Sequence, residues 1–250
     1  MLRSWKSSVG ITMKSKVKKR LKITAIIIAA LLVIIIGGFY IYTLDYYRAD
    51  PIARRTIADQ AESIQVQKNM TVLYPDEEMD LAAGLIFYPG GKVEAIAYVP
   101  LLELLAREGI TCVLVEMPFN LAVFDVNAAS KIYGQFPEIK EWYIGGHSLG
   151  GAMASSYVEN NRAMLKGLIL LGAYPINDAD LPVLAIYGSE DIRLDKAKLA
   201  NLPNVIRIAG GNHAQFGNYG EQRGDGTATI TREAQQAQTV EAILEFIQSK

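Results

Sequence analysis

The sequence predicts an α/β fold, a mostly parallel sheet flanked by helices, preceded by one long apolar helix. Three observations predict it. Short apolar runs at 82–88, 110–115, 142–144, 167–171 and 183–187 alternate with helix-forming stretches. Strands buried on both faces and joined by crossover helices read this way. Polar, glycine-rich loops follow most of these runs, and such sheets gather their functional groups at the carboxyl ends of their strands. The third observation is 23–44, a stretch of 22 residues without a charge.

That stretch is long enough for the roughly 20 helical residues that cross a bilayer core about 30 Å thick. Tyr40, Tyr42, Tyr46 and Tyr47 cluster at its far end, as an interfacial belt does. Residues 1–22 carry Arg3, Lys6, Lys14, Lys16, Lys18, Lys19, Arg20 and Lys22 and no acid. The positive-inside tendency therefore predicts a cytoplasmic tail over 1–22, an uncleaved transmembrane anchor over 23–44 and an extracytoplasmic body. A cleaved secretory signal is the rival; its apolar region is shorter and ends in a small-residue site, and Gly38-Phe39-Tyr40-Ile41-Tyr42 is a poor one. Residues 45–62 read as a charged stalk with a helix after Pro51, and 63–250 as the α/β domain. The net charge of −1 hides an acidic body, because only 17 of the 25 basic side chains, against all 26 acids, lie beyond residue 22. Such a body does not invite nucleic acid. The single cysteine, Cys112, falls in a strand and forms no internal disulfide.

In order, 63–67 and 70–74 read as short strands and Pro75–Glu78 as a turn. The strand 82–88 ends in Pro89-Gly90-Gly91. An amphipathic helix over 95–108 carries Ile96, Val99, Leu102, Leu105 and Ala106 on one side and stops at Gly109. A strand at 110–115, a helix at 122–133, a strand at 141–144 and a helix at 149–160 follow. Strands at 167–171, 183–187 and 205–208, a short helix near 197–199 and a closing helix at 233–248 complete the body.

Between the 141–144 strand and the helix after it lies Gly146-His147-Ser148-Leu149-Gly150, a G-x-S-x-G turn in the strand–turn–helix setting of a nucleophile elbow. A serine hydroxyl is a weak nucleophile until a base takes its proton. The chain has two histidines. His147 sits beside the serine, where its side chain points away from the cleft, so His213, in the loop after 205–208, is the candidate base. A carboxylate must hold its tautomer, and Asp191, in the loop after 183–187, is favoured over Glu190 and Asp195. An oxyanion needs backbone donors, here the N–H of Leu149 and that of Gly91 or Lys92, since proline has none. Gly90, Lys92, Phe216 and Tyr219 are further candidates for touching substrate; Phe216 and Tyr219 lie in a long loop, 216–226, that either walls the pocket or is a solvated connection. Asp225-Gly226 matches no metal-ligand spacing.

The pieces GLIFYPGG, GGHSLGG, VLAIYGSED and GGNHAQFGNYG together resemble the alpha/beta hydrolase superfamily over roughly 70–250, most nearly its small esterase-like and dienelactone-hydrolase-like members. The resemblance implies hydrolysis of a small ester-type substrate through an acyl-serine intermediate, without a metal or organic cofactor. Two departures stand out. Proline replaces the histidine of the His-Gly-Gly type oxyanion loop. Only 172–182 separates two strands between which many members insert a helical cap, so no large lid is expected. Thioesters, lactones and amides are alternative substrates, and acyl transfer or a catalytically silent, membrane-anchored binding module are alternative functions.

Overall fold

The computed structural model describes residues 3–76, 82–178 and 180–249, with side chains from Val17 onward. The expected turn Pro75–Glu78 lies partly outside them. The chain divides into two units, 1–45 and 46–250.

The first unit is helix α1, Arg3–Leu44. Its segment Val17–Leu44 has a mean hydropathy of 2.7 over its most apolar window, none of which is buried. At 1.5 Å per residue its 28 residues span about 42 Å, long and apolar enough to cross a membrane.

The second unit is built on one eight-stranded sheet. Its strands are β1 (Ile64–Val66), β2 (Met70–Leu73), β3 (Ala83–Tyr88), β4 (Ile110–Val115), β5 (Glu141–His147), β6 (Gly167–Leu171), β7 (Val183–Gly188) and β8 (Asn204–Ile208). Their order is β1-β2-β4-β3-β5-β6-β7-β8. β2 pairs antiparallel with β1 and β4, and every other pairing is parallel. Alternation along each strand splits the core in two. Leu85, Phe87, Leu114, Tyr143, Leu171 and Ile186 face α3 (Val99–Arg107) and α5 (Arg232–Gln248). Ile86, Tyr88, Val113, Ile144, Leu170 and Ala185 face α4 (Leu149–Asn161) and the turns between β4 and β5. Each such side chain, fully buried, contributes about 1.5–3 kcal/mol of transfer free energy, so both layers are needed to hold the sheet.

Three expectations change. The helix expected over 95–108 starts as a 3-10 turn, Ala95–Tyr98, and becomes α-helical only at Val99, where Pro100 fits the first turn. The helix expected over 122–133 is instead a run of 3-10 turns, Ala122–Phe124, Ala128–Lys131 and Tyr133–Gln135. There the Tyr88 hydroxyl donates to the Val126 carbonyl and accepts from the Ala129 N–H, 2.8 and 2.9 Å away, in place of helical partners. Third, the expected stalk is packed. Helix α2 (Pro51–Asp59) is capped by Asp50, and Ala53 is fully buried. Between β6 and β7 the described residues form no helix, as the short connection predicts.

Candidate active site

Parallel pairing brings the ends of β5, β6, β7 and β8 side by side, with His147 opposite Leu171 and Gly188 opposite Ile208. The loops that leave these ends carry Ser148, Gly172, Asp191 and His213.

Ser148 stands between β5 and α4 at φ 52°, ψ −120°, outside the regions a serine ordinarily adopts. Such strain costs on the order of 1–3 kcal/mol and is retained only where the surroundings impose it. The turn imposes it through close backbone approach: a Cβ on Gly146 would lie 2.6 Å from the Gly150 carbonyl carbon, and one on Gly150 would overlap the Tyr88 carbonyl oxygen. Ser148 opens onto a cavity of about 290 Å³ whose walls include Leu149, Gly172, Ile176, Arg193 and His213. A larger cavity, about 600 Å³, lies by Met70, Glu116, Phe119 and Lys131 and holds neither Ser148 nor His213.

His213 and Asp191 are buried, 2 % and 0 % exposed, and Nδ1 of the histidine lies 2.8 Å from Oδ2 of the aspartate. Oδ1 of Asp191 accepts from the N–H groups of Arg193 and Leu194, at 2.9 and 3.1 Å. The carboxylate is thus fully satisfied and fixed in direction. The alternatives serve elsewhere: Glu190 accepts from the Ser189 hydroxyl, and Asp195 caps the 3-10 turn Lys196–Leu199. With Nδ1–H given to Asp191, the lone pair of His213 resides on Nε2, a buried atom with no hydrogen-bond partner. Gly172, at φ 53°, makes room for the pair, because a Cβ there would lie 2.9 Å from His213 Nδ1 and 3.2 Å from Asp191 Oδ2.

The loop that presents His213 is braced on both sides. Asp225 accepts the Ala214 N–H at 2.8 Å. Gln235 on α5 accepts the Asn212 N–H and donates to the Asn212 carbonyl, at 2.9 and 2.8 Å. Asp225, unassigned by its spacing, is a brace for the histidine.

The expected oxyanion loop lies beside the Leu149 side chain. Gly91 abuts Leu149, since a Cβ on Gly91 would lie 2.8 Å from Leu149 Cδ2. Leu149 opens α4, where the first N–H groups have no intrahelical acceptor and the helix dipole favours negative charge. Gly90 and Lys92 are committed otherwise, the Gly90 N–H to the Tyr98 hydroxyl at 3.1 Å and the Lys92 N–H to the Asn120 carbonyl at 2.8 Å. Phe216 and Tyr219 are buried, 0 % and 6 % exposed, and serve as packing. Tyr219 stacks between Tyr47 and Tyr98, and Phe216 lies against His147.

One layer escaped the sequence reading. His147 is buried, 1 % exposed, and its ring centroid lies 4.4 Å from that of His213. Its Nδ1 lies 2.7 Å from the Tyr98 hydroxyl. That hydroxyl also accepts from the Gly90 N–H, so Tyr98 ties the loop after β3 to the His147 ring. Burial first, then the neighbouring His213, holds the His147 pKa well below the usual 6.5, so the ring is neutral. No spacing signal marks Tyr98 as different from an ordinary core aromatic.

The profile of the alpha/beta hydrolase family matches residues 84–237. No curated protein matches the chain in sequence. Among solved structures the chain is similar to Est1E from Butyrivibrio proteoclasticus, with a TM-score of 0.53 and 17 % identity, over 74 % of this chain and 97 % of that one. It is similar to a serine hydrolase without lid from Xanthomonas campestris, with a TM-score of 0.50 and 14 % identity over 71 % and 88 % of the chains. It is similar also to a dienelactone hydrolase from Anabaena variabilis, with a TM-score of 0.50 and 15 % identity over 70 % and 90 %. At these identities the structural likeness speaks for the fold, and the profile, which spans more than half of the sequence, speaks for descent: the chain belongs to the alpha/beta hydrolase family.

Proposed function

We propose that the protein is a membrane-anchored serine hydrolase of carboxylic ester-type bonds. Ser148 Oγ attacks the substrate carbonyl while its proton passes to His213 Nε2. The oxyanion that forms accepts hydrogen bonds from Leu149 and Gly91, a kind of donor worth about 2.7–4 kcal/mol of barrier apiece. Collapse breaks the ester bond, and the leaving alkoxide takes the proton from His213. Water then gives a proton to His213 and attacks the acyl-serine, releasing the acid and restoring Ser148. Asp191 holds the imidazole in the required tautomer and offsets its transient charge.

The observation that carries this reading is the 2.8 Å contact of His213 Nδ1 with Asp191, which leaves Nε2 as the acceptor on a residue that lines the same cavity as Ser148. The anchor is residues 23–44, with 1–22 cytoplasmic and the hydrolase body on the other side of the membrane; its support is the charge-free run and the basic cluster before it.

A fluorophosphonate probe tests both parts. The expected result is labelling of a full-length protein that stays in carbonate-washed membranes, lost in Ser148→Ala together with turnover of small aryl esters. Unchanged turnover in Ser148→Ala overturns the serine assignment, and a shortened, washable product overturns the anchor.

A further inference from the structure

The residues that follow the apolar helix in sequence lie against the loops that carry the site. Tyr47 forms a parallel bridge with Val93, in which the Tyr47 N–H donates to the Lys92 carbonyl at 2.7 Å and the Glu94 N–H to the Tyr47 carbonyl at 2.9 Å. This bridge begins one residue after Gly91. It is locked by Glu94, whose carboxylate accepts from the Ala49 N–H at 2.8 Å and, on its two oxygens, from Arg54 Nη2 at 2.8 and 2.9 Å.

The same few residues also hold the loop that carries His213. The Asp50 N–H donates to the Asn218 carbonyl at 2.8 Å, and Asp50 Oδ2 accepts from Asn218 Nδ2 and from Arg232 on α5, at 3.4 and 3.2 Å. The Tyr47 hydroxyl accepts from the Arg223 N–H at 3.1 Å, and the Tyr47 and Tyr219 rings pack 5.6 Å apart. Asn218 in turn donates its N–H to the Ala97 carbonyl, beyond the oxyanion loop, at 2.7 Å.

The loop after β3 and the loop after β8 come from opposite halves of the domain sequence, and each must be placed to a fraction of an ångström for one substrate. A strap tied to both fixes one against the other. We infer that Tyr46–Asp50 is a positioning strap for catalysis, in which Tyr47 and Asp50 set the distance between the oxyanion loop and the histidine loop. The inference rests on the Ser148–His213 reading above. It has a functional corollary: whatever displaces the segment next to the apolar helix lowers turnover without touching the substrate.

The test uses the full-length protein in detergent, with Tyr47→Ala combined with Asp50→Ala, and the milder pair Tyr47→Phe and Asp50→Asn. Misplacement by about 1 Å costs up to about 100-fold in rate. The expected result is a fall in kcat of about 10- to 100-fold in the double alanine variant, with KM changed less than about threefold and the conservative variants intermediate. The fluorophosphonate labelling rate should fall in parallel. A double variant that melts earlier but keeps its kcat and its labelling rate below the melting range overturns the strap, since it then serves stability alone. Wild-type protein that the probe does not label overturns the Ser148–His213 reading, and the strap with it.

Discussion

The end of β5 and the loop after β8 each deliver a buried histidine, and the two rings lie 4.4 Å apart, yet their partners differ in kind. His213 Nδ1–H donates to a carboxylate, which leaves Nε2 as the acceptor. His147 has at Nδ1 a phenol hydroxyl that also accepts from Gly90. That partner is neutral, and burial keeps the ring neutral too. Position in a crowded core therefore does not make a base. The partner on the far nitrogen does.

The largest effect expected from this contrast is in exchange of the bases themselves. His213→Gln should lower kcat/KM on aryl esters by about 10⁴- to 10⁶-fold, and Asp191→Asn by about 10⁴-fold, since the tautomer is then wrong. His147→Gln should lower it by no more than about 100-fold. Equal losses at both histidines, measured side by side, would break the distinction.

A smaller effect is expected from Tyr98→Phe. It removes the acceptor of the Gly90 N–H and the partner of His147 Nδ1, and each buried orphan costs about 1–3 kcal/mol. Urea unfolding should show that loss. Turnover should fall about tenfold through displacement of the oxyanion loop; full turnover would mean that Gly90 holds its place without the phenol.

The smallest effect is on stability against pH. The folded ring of His147 resists protonation, whereas in the unfolded chain it takes up a proton near pH 6.5. Below that pH the unfolded state binds more protons, so stability is eroded as pH falls and is untouched above it. The slope from this group is at most about 1.4 kcal/mol per pH unit. The groups around the ring are His213, the Tyr98 hydroxyl and the Arg193 cation, and the last reinforces the depression. Chemical unfolding between pH 5 and 7.5 should show a shallower acid limb in His147→Gln than in wild type; parallel limbs would assign the proton uptake to another group.

Much of the site could be read in the chain because its constraints are local. The glycines around Ser148 reflect backbone contact within one turn, and the strand-end placing of Asp191 and His213 follows from alternating apolar runs. The stretch 122–133 was misread because its turns follow the Tyr88 hydroxyl, a partner some forty residues back. The strap was misread as a stalk because its charged composition, with Arg48, Asp50, Arg54 and Arg55, resembles a solvated linker, while its partners Glu94, Asn218 and Arg232 are 40 to 182 residues away.

By itself the sequence determined the apolar helix, the alternation of strands and helices, and the residue types gathered at the strand ends. These depend on periodicity and on steric limits within a few residues. Only the tertiary structure decided that Asp191 rather than Glu190 or Asp195 meets His213, that Gly172 is empty space for that pair, and that Tyr98 and His147 lie beneath it. The sheet's register sets which loop ends become neighbours, and hydrogen bonds between residues far apart in the chain leave no periodic mark in it.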